Sequence, residues 1–282
     1  MTSSPLLALA SYSFRESLRT KWLVVFTVIY FLVLVNVPFL LLVAEGALSG
    51  SALNSYIVYL GSVSFPFLPL LSLPLGALSV ADERESGTLQ YMMSTKLTRT
   101  EFLLGRFLGM LAATSAVVVG GYLLAGLVVA NVDYAIFPSV GIEAALSLVL
   151  NFIMLSLAIV ISTVSKRKVT ALSVAIFSWF LFVLLSDFGA SFGLIVTLPN
   201  GTLAEVLAAM VNPVETTAAF SEMSLNAFGP QVGPTVEILK TFFGGGTTGP
   251  HTAMLLMGLS LVAWAAMAFA VMVYSFKKSD LA

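Results

Sequence analysis

The stretch ADERESGTLQYMMSTKLTRTEFLLGRFLGM, residues 81–110, decides how the rest of the chain is read. Nine of its thirty residues are ionisable, counting Tyr91, in a chain that is only 10% charged. One apolar run leads into it and another starts inside it, at Phe102. A charged passage held between two such runs reads as a polar handle joining two membrane-crossing helices. Lipid admits only segments that satisfy their own backbone, and a long apolar helix does so.

The composition agrees. The chain has 282 residues, 59% hydrophobic, with a mean hydropathy of +1.01. Domains that fold in water carry about 45–50% apolar residues, so lipid is the solvent expected for most of this chain. There is no cysteine, which removes disulfides, thiolate metal sites and cysteine nucleophiles. The one histidine, His251, rules against a three-histidine metal centre within one chain. The net charge of −1 says nothing about nucleic acid, and the distribution of charge along the chain matters instead; no nucleic-acid partner is expected. The first apolar run follows Arg15, Arg19 and Lys21. It exceeds the ~7–15 residues of a cleaved signal's core, so a retained span is expected.

Read in order, residues 3–20 form an amphipathic helix suited to anionic headgroups. Leu6, Ala10, Phe14 and Leu18 recur on one face, with Ser4, Ser11, Arg15 and Arg19 on the other. Spans are expected at about 22–43, 56–80, 102–130, 142–164, 169–186 and 251–274. Pro66, Pro69 and Pro74 predict a bend in the second. Gly105, Gly109, Gly120 and Gly121 predict close helix approach along the third. Residues 45–55 and 131–141 read as short outer loops. Residues 187–250 are too polar and broken for one span. Within them Leu203, Val206, Leu207 and Met210 predict a short amphipathic helix, and Asn212-Pro213-Val214-Glu215 a capped helix start. Gly244–Gly246 and Gly249-Pro250 read as the flexible end of this segment.

Orientation follows from the thirteen basic residues. If the spans alternate, all lie on one side except Lys240. That side is the cytoplasm. The expectation is an all-α integral membrane protein of one domain, 1–282. It has six spans, both termini and the handle at 81–101 in the cytoplasm of a cell-membrane protein, and residues 187–250 outside. No acidic or basic residue is expected at a span centre, Glu143 and Asp187 falling at span ends. This weighs against an ion-driven carrier.

Within the handle, Asp82, Glu83 and Glu85 form a carboxylate cluster. Arg84 sits among them and no second ligand set is visible, so surface ion pairing is favoured over a metal site. No Ser-His-acid constellation is present. From Ser86 the segment reads as helical, placing Leu89, Met92 and Met93 on one side. That knob either docks in a partner's groove or packs back on lipid or the N-terminal helix; both bury the same face.

Glu83-Arg84-Glu85-x-Gly87-Thr88-Leu89, then Ser94-x-x-Leu97-Thr98-Arg99-x-Glu101-Phe102-x-x-Gly105-Arg106-x-x-Gly109, resembles the signature of ABC-2 type permeases. Gln90 stands where the family has Glu, and Met92 and Met93 where it has leucines. Within the family the chain is most similar to the permease of the nitrous-oxide-reductase maturation transporter. The resemblance implies a permease homodimer paired with two copies of an ABC ATPase subunit, and a coupling helix at the handle lodged in that ATPase. It implies docking through Glu83, Arg84, Glu85, Leu89, Met92, Met93 and Leu97. Lys166, Arg167 and Lys168 are a second candidate contact, with plain positive-inside anchoring the favoured reading. ATP and magnesium are expected on the partner and no cofactor in this chain, which has no G-x-x-x-x-G-K-[ST] and is not expected to be an enzyme.

Because that sub-family serves a copper enzyme, His251, Met254 and Met257 are a candidate Cu(I) set, although methionine is also ordinary span filler. The expected function is a permease subunit coupling a partner's ATP hydrolysis to substrate movement or force transmission, in maturation of a copper enzyme. The alternatives are a lipid, drug or polysaccharide exporter of the same class, an ATP-independent carrier, or a membrane anchor for an extracytoplasmic partner.

Overall fold

The computed structural model describes residues 5–44, 50–93, 98–130, 137–195, 206–207, 209–225, 242 and 249–279. Among them the secondary structure is helical. The helices are α1 Pro5–Arg19, α2 Lys21–Ala44, α3 Gly50–Glu85, α4 Thr88–Met93, α5 Arg99–Ala130, α6 Phe137–Val164, α7 Lys168–Ile195, α8 Pro213–Leu225 and α9 Gly249–Lys278. Tyr59–Glu85, Arg99–Val128, Phe137–Val164 and His251–Lys278 are each long and apolar enough to cross a membrane. α1 and Lys21–Asn36 meet at 65° and qualify as a fifth candidate when joined. Lys168–Leu184 is a shorter apolar helix.

α3 is the axis of the bundle. It packs most extensively on α6, and also on α2 and α7. Of its apolar window 72% is buried, against 22% for α9, which places α9 on the periphery. Hydroxyl and amide pairs stitch the interior, as expected where unpaired polar groups have no water. Tyr30 Oη and Ser64 Oγ lie 2.8 Å apart, and Tyr122 Oη and Ser147 Oγ 2.7 Å. Asn151 accepts from Ser72 Oγ at 2.6 Å and donates to Thr114 Oγ1 at 2.9 Å, joining α3, α5 and α6.

The boundaries differ from the sequence expectation at several ends. α3 starts at Gly50 and α6 at Phe137, so residues 50–55 and 137–141 are helix rather than loop. α7 runs on to Ile195, taking Asp187 into a helix, and α9 begins at Gly249, so Gly249-Pro250 is helical rather than flexible. Gly244–Gly246 lie outside the described residues. Polar and Gly/Pro residues at these ends read as loop, yet the first helical turn tolerates them. α3 continues through Pro66, Pro69 and Pro74 as one helix. Trp179 Nε1 donates to the Pro66 carbonyl at 2.9 Å in this stretch.

Residues 206–207 and 209–211 are helical, with Val206 and Ala209 buried and Leu207 and Val211 exposed; Leu203 lies outside the described residues. Asn212 caps α8 as its sequence predicts: its Oδ1 accepts from Val214 N at 3.1 Å, with Pro213 opening the helix.

α1 packs on α5. Its inner face carries Ser13 and Ser17, both buried, while Leu7, Tyr12 and Leu18 are exposed. Of the apolar face read from the sequence, Leu6, Ala10 and Phe14 are partly buried and Leu18 is exposed, as a face turned to lipid allows. The contact with α5 is set by Gly105 and Gly109, whose missing side chains admit Leu9 and Ser13. A Cβ at Gly109 would fall 2.5 Å from Ser13 Cβ.

Candidate functional site

The charged handle begins as the last turn of α3. Gly87 ends it with φ of +76°, a left-handed conformation that costs any side chain about 1 kcal/mol or more. Ser86 N donates to Asp82 O at 3.0 Å and Gly87 N to Arg84 O at 3.2 Å, closing the helix end. Ser86 Oγ and Thr88 Oγ1 both donate to Glu83 O, and α4 follows at once.

The motif's charges bind the ends of neighbouring helices. Arg106 of α5 pairs with Glu83 of α3 and with Glu16 of α1. The side chains of Arg106 and Glu83 are 8% and 9% exposed, so this pair is desolvated and costly to break. Arg84 Nη1 donates to the carbonyls of Thr163 at 3.0 Å and Ser165 at 3.1 Å, at the C-terminus of α6. Glu85 Oε2 accepts from Lys168 N at 2.8 Å, the first amide of α7. Arg99 Nη1 reaches the Lys277 and Ser279 carbonyls at the end of α9, both at 3.4 Å. Arg84 and Arg99 sit at helix C-termini and Glu85 at a helix N-terminus, as unpaired backbone groups and helix dipoles favour.

Thr98 and Glu101, which belong to the motif, form a capping box. Thr98 Oγ1 accepts from Glu101 N at 3.2 Å, and Glu101 Oε2 accepts from Thr98 N at 2.9 Å. The T-x-x-E spacing carried that information. The roles of Arg84, Glu85 and Arg99 carried no local signal, because their partners lie on other helices.

The residues expected at the docking face are placed as follows. Leu89 is fully buried in the main hydrophobic cluster, so it packs back on the bundle rather than forming an exposed knob. Glu83 turns inward to Arg106, and Arg84 and Glu85 are committed to α6 and α7, so none is a simple rim contact. Asp82, Glu85, Ser86, Thr88 and Gln90 are exposed. The backbone of Met92 and Met93 continues α4; their side chains, and all of Leu97, lie outside what is described. Lys168 Nζ meets Asp82 at 3.3 Å with both side chains more than half exposed, a pair worth about 1 kcal/mol at most. Lys166 and Arg167 are exposed.

The remaining candidates divide. His251 and Met254 line an apolar groove of about 780 Å³ with Phe220 and Leu255, whereas Met257 is fully buried beside Val206, Ala219 and Ala253. The three therefore do not converge. Glu143, expected at a span end, is fully buried two turns into α6, where Ser221 of α8 bonds its carboxylate.

Comparison with known proteins places this architecture. The sequence profile of the family described as "ABC-2 family transporter protein" matches residues 7–281. Relatives include proteins named "Probable ABC transporter permease protein NosY" from Stutzerimonas stutzeri and from Pseudomonas aeruginosa. Each is 30% identical over 184 residues, 64% of this chain and 67% of the relative.

Proposed function

The chain belongs to the ABC-2 family of transporter proteins, and from that premise we propose that it is a six-span permease subunit driven through its charged handle by a partner ATPase. α2 and α7 complete the set of spans with α3, α5, α6 and α9. Both termini and the handle lie in the cytoplasm of a cell-membrane protein, since the basic residues gather there. Two copies form the membrane core and two ATPase subunits bind ATP and magnesium beneath it.

The observation that carries this reading is the way the handle is fastened. Through Glu83, Arg84, Glu85, Arg99 and Arg106 it holds the ends of α1, α3, α5, α6, α7 and α9. A short helix set on such a clasp, with Leu89 seated in the core, passes a pull to the whole bundle rather than to one loop. Met92, Met93 and Leu97 supply the docking contact. Glu83, Arg84, Glu85 and Leu89 transmit the force, and Lys166–Lys168 anchors the chain to headgroups. The cargo serves maturation of a copper enzyme, as the resemblance to the nitrous-oxide-reductase maturation permease implies.

Co-purification tests the assignment. The ATPase is expected to follow the detergent-solubilised chain and to be lost from Met92→Asp plus Met93→Asp, while the chain's melting temperature holds. Retention of the ATPase by that folded double variant would overturn the docking contact. ATP-independent turnover by the isolated chain would overturn the class of mechanism.

A further inference from the structure

Beside the handle, between the ends of α6 and α9, lies a cleft of about 390 Å³ lined by Arg84, Lys166 and Lys278 together with Thr163, Ser275 and Ser279. Among the described residues its lining carries three cationic side chains and no acidic one. We propose that this cleft binds the phosphate headgroup of an anionic phospholipid.

The guanidinium of Arg84 sets the chemistry. Nη1 is taken by the Thr163 and Ser165 carbonyls, which fixes the plane of the group. Nε and Nη2 are buried and bond no atom among the described residues, so the group keeps hydrogen-bonding capacity that its protein surroundings leave unused. The guanidinium thereby holds a fixed, delocalised positive charge at the wall of the cleft, the kind of group that pairs with phosphate. Lys278 lies 5.8 Å over the Tyr274 ring, which holds its charge beside the cleft.

The surroundings favour a lipid over a soluble anion or a partner's carboxylate. Val164 and Tyr274 also line the cleft and are 71% and 65% exposed. They give the head of an acyl chain an apolar contact at the ends of two membrane-crossing helices. Basic clefts between such helices are where anionic headgroups settle.

The test uses the full chain purified with its ATPase, stripped of lipid and examined by native mass spectrometry with added palmitoyl-oleoyl phosphatidylglycerol or phosphatidylcholine. Phosphatidylglycerol is expected to be retained in preference. Lys166→Gln plus Lys278→Gln should weaken that retention about thirtyfold, the effect of removing two basic groups from an anionic surface. Phosphatidylcholine retention and the melting temperature should not change. This pair of substitutions leaves the Arg84 contact to α6 in place, so misfolding does not obscure the result. Equal phosphatidylglycerol retention by variant and wild type would overturn the proposal. Displacement of the lipid by inorganic phosphate would assign the cleft to a soluble anion and overturn it. Loss of the ATPase with lipid retained would assign it to the partner and overturn it as well.

Discussion

Arg106 holds two carboxylates, Glu16 on α1 and Glu83 at the end of α3, with its own side chain 8% exposed. Replacing it leaves Glu83 buried beside no cation, and such losses cost about 3–5 kcal/mol. Arg106→Gln should therefore lower the chain's unfolding temperature in detergent. Adding Glu83→Gln should recover part of the loss, because the orphaned charge is then removed. An additive double variant would mean that the two side chains do not act on one another. In the sequence Arg106 counted only as one of thirteen basic residues and a motif position. Nothing local to it pointed to Glu16, ninety residues away.

Helix pairs were partly legible. The run of small residues in α5 announced a close neighbour, and α1 and α2 fill that place. On α1, periodicity picked out the apolar residues, Leu18 among them, whereas the stripe packed on α5 includes Ser13 and Ser17, which it does not count. Caps were legible where both partners are near in sequence, as at Asn212 with Val214. They were illegible where they cross between helices, as from Arg84 to Thr163. Gly109→Val tests the α1–α5 contact. A side chain there displaces Ser13 and the backbone of Ala10, so α1 should detach and trypsin should cut faster at the exposed Arg15 and Arg19. Gly126→Ala on the same helix, where the nearest neighbours stand at 3.6 Å, should leave the cleavage rate unchanged.

For the whole molecule, membrane residence and helical class were readable from composition, since 59% hydrophobic content leaves no water-soluble solution for such a chain. What the sequence could not convey is that the charged handle is a clasp. Glu83, Arg84 and Glu85 read as polar rim contacts to a partner, and within the chain they also close helix ends around the bundle. The account depends on that clasp facing the cell interior, where an ATPase can reach it. The chain lacks cysteine, so Gln90→Cys, at an exposed position on α4, is a single clean label. A membrane-impermeant maleimide should react with it in inside-out vesicles and not in right-side-out vesicles. Labelling from the outer face would contradict the account.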